Sequence, residues 1–490
     1  MMSMAGPLVG VDCGRRKQLR THWSICPGPA NRAEPRVPPQ EAAWIPLPEL
    51  MPVAAALREL KQWSLDGPPR RFDAEDWWYR LTFDTLPAAT GERIILGFDG
   101  LATLAQVWLN EKELLISANM FVAHEVDVSD ALKAVGNELL ICFSALDTQL
   151  AIRRKRPRWR APMIEHQQLR WFRTTLLGRT PGWSPPAAVV GPWRDIWLER
   201  RGPIDITNLS FTARVEGTTG IVSCTLPTQA SPDATIESVH LQLTRGSLVD
   251  RHRLTLHANQ DSVGKNHFSG EWRIDDVDLW WPHTHGEPAL YSASLQIRMT
   301  GAEHDFAVSL GKIGFRTIAL DTSGGNFSLS INGVAVFCRG ACWTPLDPVT
   351  LRANAAITHA AVAQASTAGM NMLRIAGTMV YEEEHFFNAC DELGMLVWQD
   401  FMFANMDYPV DDPAFMESVA VEVRQQLRSI QSNPCLALLC GNSEVEQQAA
   451  MWGAARESVL APLCDETLAR LCSEHVPDVP YWPSSAHGGS

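Results

Sequence analysis

The chain has 490 residues, 46% of them hydrophobic and 20% charged, and carries a formal net charge of −13. That length holds about three domains of roughly 100–200 residues each, with a hydrophobic fraction ordinary for a globular protein. The acidic balance argues against a general affinity for nucleic acid. The absence of a stretch of about 18 apolar residues or a signal-peptide pattern argues against a membrane span or leader.

Eleven cysteines are scattered without a CxxC pair. Cys338 and Cys342 lack a second ligand pair at zinc-finger spacing. Buried free thiols in a reducing, cytoplasmic setting are therefore expected, with no metal or cofactor. Eighteen tryptophans stand against five tyrosines. Indole rings suit the CH faces of sugars, and they suit plain core packing equally well.

In chain order, residues 1–70 read as an irregular, Pro-rich segment. From Trp77 short alternating runs follow (WWYRLTFD, RIILGFDG, ATLAQVWLNEKELL, ELLICFSA), so residues 71–202 are expected to form a β-sandwich. Its basic run (Arg153, Arg154, Lys155, Arg156, Arg158 and Arg160) reads as a surface loop rather than a polyanion site. Residues 203–321 read as a second, immunoglobulin-like sandwich, with strands at Ile206–Val215, Gly220–Pro227, Ser238–Thr244 and Ala293–Met299.

Past Phe327 strands alternate with helices. Strands are expected at Val334–Arg339, Met372–Ile375, Met395–Gln399, Cys435–Cys440 and Val479–Pro483. Helices are expected at Ala355–Ala368, Glu383–Leu393, from Asp412-Pro413 to Ile430, and through Leu463–Leu471. In the third, Phe415, Val419, Val423, Leu427 and Ile430 share one apolar face. Five strands in residues 322–490 make an incomplete (β/α)8 TIM barrel, since eight strand–helix units close one.

The most informative stretch is CLALLCGNSEVEQQAAMW, Cys435 to Trp452. A fully apolar run, as in a strand buried on both faces, stops at Gly441-Asn442-Ser443-Glu444. That puts a carboxylic acid at the carboxyl end of a strand, where barrel enzymes hold catalytic groups. The same glutamate also fits a helix start.

The ordered segments FDGLATLAQVWLNEKEL, LWWPHTHGEPALY, INGVAVFCRGACWTPLD, YEEEHFFNACDELGMLVWQDFMFANMDYP and CGNSE resemble glycoside hydrolase family 2, and within it the β-mannosidases. The resemblance covers roughly residues 75–490. It implies a jelly-roll, sugar-binding-like sandwich, an immunoglobulin-like sandwich and a catalytic barrel. It also implies retaining exo-hydrolysis of a terminal β-linked sugar, with an oligosaccharide or glycoside as substrate and neither nucleic acid nor membrane as partner.

Carried over by position, Glu444 corresponds to the general acid/base. A retaining glycosidase needs one carboxylic acid to protonate the leaving oxygen and then, as carboxylate, to activate water. Arg374 matches an arginine that supports the nucleophilic carboxylate. Trp398 and Asp400 resemble residues lining the sugar pocket, and Trp343 is a candidate of the same kind. Glu446 reads as structural.

The sequence departs from the family's pattern in four places. Ser443 stands where the family has Asn, and Asn442, one position earlier, is the nearest amide. Ala376-Gly377-Thr378 replaces Trp-Gly-Gly. Gly178-Arg179-Thr180-Pro181-Gly182-Trp183 replaces a Trp-Asp-Trp loop. The family's nucleophile falls beyond Ser490, so the chain reads as cut within the barrel. A non-catalytic carbohydrate-binding remnant, or a fragment needing a complementing chain, is the alternative expectation.

Overall fold

The computed structural model describes residues 16–30, 38–39, 43–89, 91–201, 209–227, 236–246, 248–254, 259–260, 266–300, 305–455 and 462–486. Two antiparallel sheets come first. Six strands pair in the order Ile45–Pro46, Trp23–Gly28, Asp76–Phe83, Asn137–Phe143, Ala105–Leu109 and Lys112–Ser117. Four pair as Lys17–Gln18, Ile196–Arg201, Arg93–Phe98 and His124–Asp127.

The two-residue period of a strand decides which side chains meet. Trp77, Tyr79 and Leu81 share a core with Leu139, Ile141 and Phe143 of the paired strand and with Leu96, Phe98, Ile196 and Leu198 of the other sheet. On the opposite face Cys26, Trp78 and Cys142 form a separate cluster, with Trp108 stacked on Trp78.

The reading of residues 1–70 as irregular is corrected by this arrangement. Trp23–Gly28 is an internal strand paired with Asp76–Phe83. The helix Val53–Glu59 buries Val53, Ala54, Ala55, Ala56 and Leu57 completely or nearly so. Pro27 and Gly28 read as breakers in the sequence, but they occupy only the last two positions of the strand. The alternating Trp23 and Ile25 carry the burial.

The second unit is again two antiparallel sheets. One orders Ser210–Glu216, Thr219–Pro227, Asn266–Ile274 and Asn259–Gln260. The other orders Leu248–Leu254, Ile236–Arg245, Tyr291–Met299 and Phe306–Ile313. Val222, Cys224 and Leu226 from one sheet meet Val239, Leu241, Leu243, Leu295 and Ile297 from the other in one core. Residues 206–208 of the expected first strand, and the expected boundary at 202/203, lie outside the described residues.

The third unit is a five-stranded parallel sheet whose strands lie in chain order: Gly340–Trp343, Met372–Ile375, Leu396–Asp400, Leu436–Cys440 and Tyr481–Trp482. The first of these corrects the expected strand at Val334–Arg339. Val334–Val336 instead pairs antiparallel with Ser328–Ile331, in a small sheet completed by Ile318–Asp321. Asn332 and Gly333, both at positive φ (51° and 77°), turn the chain back on itself there, as a tight hairpin requires. Gly340 then lets the first parallel strand approach the second closely, because a Cβ at that position would collide with Met372 O.

Helices Ala355–Thr367, Glu384–Leu393 and Pro413–Ile430 connect the first four strands. Asp412 caps the third by accepting from Phe415 N at 2.8 Å, with Pro413 at the first helical position, where its missing N–H costs nothing. Its apolar face buries Phe415, Val419, Val423, Leu427 and Ile430. Between the fourth and fifth strands come Val445–Met451, a π-helical turn at Leu463–Leu468 and the helix Ala469–His475. No helix among the described residues is long and apolar enough to cross a membrane.

The parallel sheet does not own its core alone. Trp159, Ile164, Leu169, Leu176 and Trp193 of the first sandwich belong to the same buried cluster as Leu396, Phe403, Val423 and Leu439. Because the N-terminal strand is integral to the first sandwich, Trp23→Ala, which empties a site 1% exposed, is expected to cost about 3–5 kcal/mol. Urea unfolding monitored by fluorescence checks this; an unchanged midpoint would contradict it.

Candidate active site

The register of the parallel sheet sorts the candidate residues by face. Cys342, Arg374, Trp398 and Leu438 are neighbours across four strands. Two residues further along, on the same face, Asp400 lies beside Cys440 and Cys440 beside Trp482. At this end of the sheet Arg374 Nη2 donates to Asp400 Oδ2 at 2.7 Å. Trp398 Nε1 donates to Asp400 Oδ1 at 2.8 Å, and Gly377 N to Oδ2 at 3.2 Å.

Asp400 is fully buried. Burial pushes its carboxyl above the ordinary value, and Arg374 with the two N–H donors pulls against that. Burial also works against the Arg374 guanidinium, but the charge and hydrogen bond of Asp400 outweigh it and raise its pKa. These contacts fix Asp400 and Arg374 relative to each other. Gly377 completes the arrangement: a Cβ there would strike the Phe401 and Phe403 carbonyls. The Ala376-Gly377-Thr378 sequence thus serves a close backbone approach.

Glu444 stands where the apolar run ends, at φ 63°, just before the helix Val445–Met451. Its amide donates to Ser485 O at 2.8 Å. Its side chain is half-buried and takes no part in capping the helix it precedes. Glu444 stands at the N-cap position, but the helix start does not use its carboxylate. Ser443 accepts from Arg374 Nη2 at 3.4 Å through its hydroxyl, which puts Glu444 one residue from the Arg374–Asp400 pair. Among the described residues the Glu444 carboxyl makes no hydrogen bond or ion pair, and such a group can give or take a proton without first breaking a bond.

Three other candidates have different tasks. Trp343 is one residue out of phase with Cys342, so its ring packs against Phe386 of the helix layer and its Nε1 donates to Glu382 at 2.9 Å. This corrects its placement in a sugar pocket. Burial pushes the Glu382 carboxyl up to about 7. Asn442 is 1% exposed. Its Oδ1 accepts from Val445 N and Ser484 Oγ, and its Nδ2 donates to Pro483 O and Cys464 Sγ. It holds the turn that presents Glu444 and has nothing left for a ligand. Asp400, likewise, is engaged from three sides and positions Arg374 and Trp398 rather than touching a ligand. Trp398 remains half-buried, with Phe327 stacked over it at 5.8 Å.

What fixes the rim of this site leaves no local signal in the sequence. Two residues of the basic run pair with the loop after the third strand. Lys155 pairs with Asp411, Arg158 with Asp407, and Trp159 Nε1 donates to Asn405 O at 3.0 Å. Deeper in, Arg173 Nη2 meets Glu422 Oε1 at 2.6 Å, both side chains at most 2% exposed, and Nη1 donates to Met402 O. The loop after the third strand is thereby tied to the first sandwich. Thr175 Oγ1 donates to Met379 O, after the second strand, at 2.7 Å; in the Gly178–Trp183 segment Arg179 pairs with Asp73 of the first sandwich, and Trp183 stays exposed.

Comparison with known proteins matches this architecture. A profile described as glycosyl hydrolase 2 galactose-binding domain-like covers residues 69–194, and one for glycosyl hydrolases family 2 covers residues 204–316. Beta-mannosidase B of Aspergillus flavus is 33% identical over 439 residues, covering 82% of this chain and 48% of that protein. The chain belongs to glycoside hydrolase family 2.

The Aspergillus terreus beta-mannosidase B is 30% identical over 459 residues, covering 88% of this chain and 50% of its own. The chain thus spans about half the length of the curated family 2 relatives it matches. Among solved structures, the β-D-mannosidase of Dictyoglomus thermophilum superposes with a TM-score of 0.83 at 26% identity, over 97% of this chain and 58% of its own. A Bacteroides uniformis β-glucuronidase, at 17% identity and a TM-score of 0.66 over 96% of this chain and 52% of its own, shares the fold.

The Arg374–Asp400 pair gives the site a sharp test. Arg374→Met leaves a fully buried carboxylate without its counter-charge and is expected to cost about 3–5 kcal/mol. Chemical denaturation at pH 7 measures it. A change under about 1 kcal/mol would mean that Asp400 does not depend on Arg374.

Proposed function

We propose that this chain carries the acid/base side of a retaining exo-β-glycosidase site of the β-mannosidase type, with Glu444 as the proton donor and acceptor. The observation that supports this most is the setting of Glu444: a free carboxyl at the carboxyl end of a parallel strand, one residue from a buried Arg374–Asp400 pair. The chemistry would run as follows. Glu444 donates its proton to the glycosidic oxygen as the bond to the anomeric carbon breaks. As a carboxylate it then takes a proton from the water that releases the sugar.

The parallel sheet and its helices fit part of a (β/α)8 barrel, residues 322–490. The preceding units fit a sugar-binding-like sandwich (71–202, with the N-terminal strand and helix built in) and an immunoglobulin-like sandwich (203–321). The substrate would be a glycoside with a terminal β-linked sugar, and mannose is the sugar favoured by the named relatives. A cytoplasmic location fits the cysteines among the described residues, which form no disulfide and of which eight are buried.

A retaining mechanism also needs a nucleophilic carboxylate about 5–5.5 Å from the acid. Asp400 is engaged by three donors, so it is not that group, and the nucleophile is not assigned to any residue here. The second reading is a carbohydrate-binding chain without turnover.

Release of nitrophenol from nitrophenyl β-mannoside, β-glucoside, β-galactoside and β-glucuronide separates the two. Turnover that Glu444→Gln lowers about 10²–10⁴-fold supports the hydrolase. Turnover that survives the substitution removes Glu444 from its role. Saturable binding with no turnover by either protein supports the binding chain.

A further inference from the structure

On the helix-layer side of the parallel sheet lies a cleft of about 1020 Å³, the size of a small-molecule site. Residues 192–195 of the first sandwich form one wall, residues 382–385 after the second strand another, and residues 425–426 of the helix Pro413–Ile430 a third. Glu444, Arg374, Trp398 and Asp400 do not line it. Trp343 faces this side: its ring packs against Phe386, and its indole holds Glu382 Oε1 at 2.9 Å.

Two opposite charges line this cleft without pairing. Arg194 is half-buried and stacks on the Trp193 ring at 4.4 Å. Among the described residues it hydrogen-bonds through Nη2 alone, to Tyr381 O at 2.7 Å and Glu382 O at 3.4 Å, and it makes no ion pair. Its Nε is buried without a partner. Glu382 is half-buried too, and its Oε2 accepts from no described residue. Nη1 and Oε2 are therefore left for a ligand. Burial lowers the pKa of Arg194 and pushes the Glu382 carboxyl up to about 7, so neither charge has the partner that would stabilise it. The other carboxylates nearby are taken. Asp195 and Glu383 pair with Arg352 at 2.8 and 2.9 Å, and Asp99 accepts the Trp197 indole.

A group seated between Arg194 and Glu382 has to accept from one and donate to the other. A hydroxyl does both at a single oxygen. A carboxylate or phosphate accepts but does not donate, and it would meet walls where carboxylates outnumber guanidiniums. An ammonium donates but does not accept, and Arg194 would repel it. The cleft is far larger than a simple alcohol, and Gln426, on another wall, keeps an unpaired amide nitrogen, so a ligand with several hydroxyls fits it best. We propose that this cleft is a second saccharide site, separate from the sheet end that carries Glu444, and that it takes a neutral sugar with one hydroxyl bridging Arg194 and Glu382. The site does not depend on the role proposed for Glu444.

Titration calorimetry of the full chain with mannose, glucose and galactose tests this, with glucuronate and mannosamine as charged probes. At least one neutral sugar is expected to bind, and more tightly than either charged one. A folded Arg194→Met or Glu382→Leu protein should bind it about tenfold more weakly, the factor one hydrogen bond to a charged group supplies. Glu444→Gln should leave this affinity unchanged. Thermal midpoints establish that each variant is folded, and the preference over the charged probes is read on the unsubstituted chain.

Tighter binding of glucuronate or mannosamine than of any neutral sugar overturns the proposal. So does neutral-sugar binding that survives in folded Arg194→Met and Glu382→Leu proteins. Binding that Glu444→Gln abolishes places the sugar at the other site and overturns it as well. No binding of any neutral sugar leaves the cleft to water and ends the proposal, whatever turnover the nitrophenyl glycosides show at Glu444.

Discussion

A guanidinium buried between the first sandwich and the parallel sheet sets the frame for everything at the candidate site. Arg173 reaches Glu422 through Nε and Nη2 at 2.8 and 2.6 Å, and the same carboxylate accepts from Asn119 and the Tyr381 hydroxyl. Burial works against the Arg173 charge, and Glu422 more than restores it. Such a pair adds little net stability over an apolar contact, but removing one member strands a charge in the interior. It therefore fixes geometry more than it supplies energy. Four donors drawn from the sandwich, its loop and the segment after the second strand converge on one carboxylate, and few arrangements of those elements satisfy all of them.

From there the constraint runs through main-chain bonds to Glu444. Arg173 holds Met402 O, and Phe403 O receives Ser443 N. Ser443 O receives Asn405 N, and Glu444 N is received by Ser485 O. Asn442 closes the turn with four hydrogen bonds of its side chain. The Glu444 carboxyl, the proposed acid/base, thus sits at the end of a backbone fixed by these bonds. This is how a rigid first sandwich, distant in sequence, contributes to a site on the parallel sheet without placing a catalytic group there.

How much of this was legible in the sequence follows from which signals are local. The helix Pro413–Ile430 was, because its cap, its proline and its apolar spacing lie within one window. So was the fourth strand, where an unbroken apolar run stops at a carboxylate. Trp343 was misplaced because a strand's faces alternate, and a strand assigned to Val334–Arg339 carries no register for Gly340–Trp343; one residue separates the inner face from the helix layer. The tasks of Asn442, Asp400 and the basic run were not legible, because each depends on partners from distant segments. Lys155 and Asp411 make the point: opposite charges 256 positions apart leave no periodic trace in the chain.

The coupling of the buried arginine to the backbone at Glu444 is tested most directly by hydrogen exchange on Arg173→Lys. Lysine keeps the charge but cannot span Glu422 and Met402 together with its single ammonium group. Exchange should quicken at the amides of Ser443, Glu444 and Asn405, while Met372–Ile375, on the second strand, keeps its protection. Unchanged protection at Ser443, Glu444 and Asn405 in the substituted protein would contradict the coupling of this pair to the site.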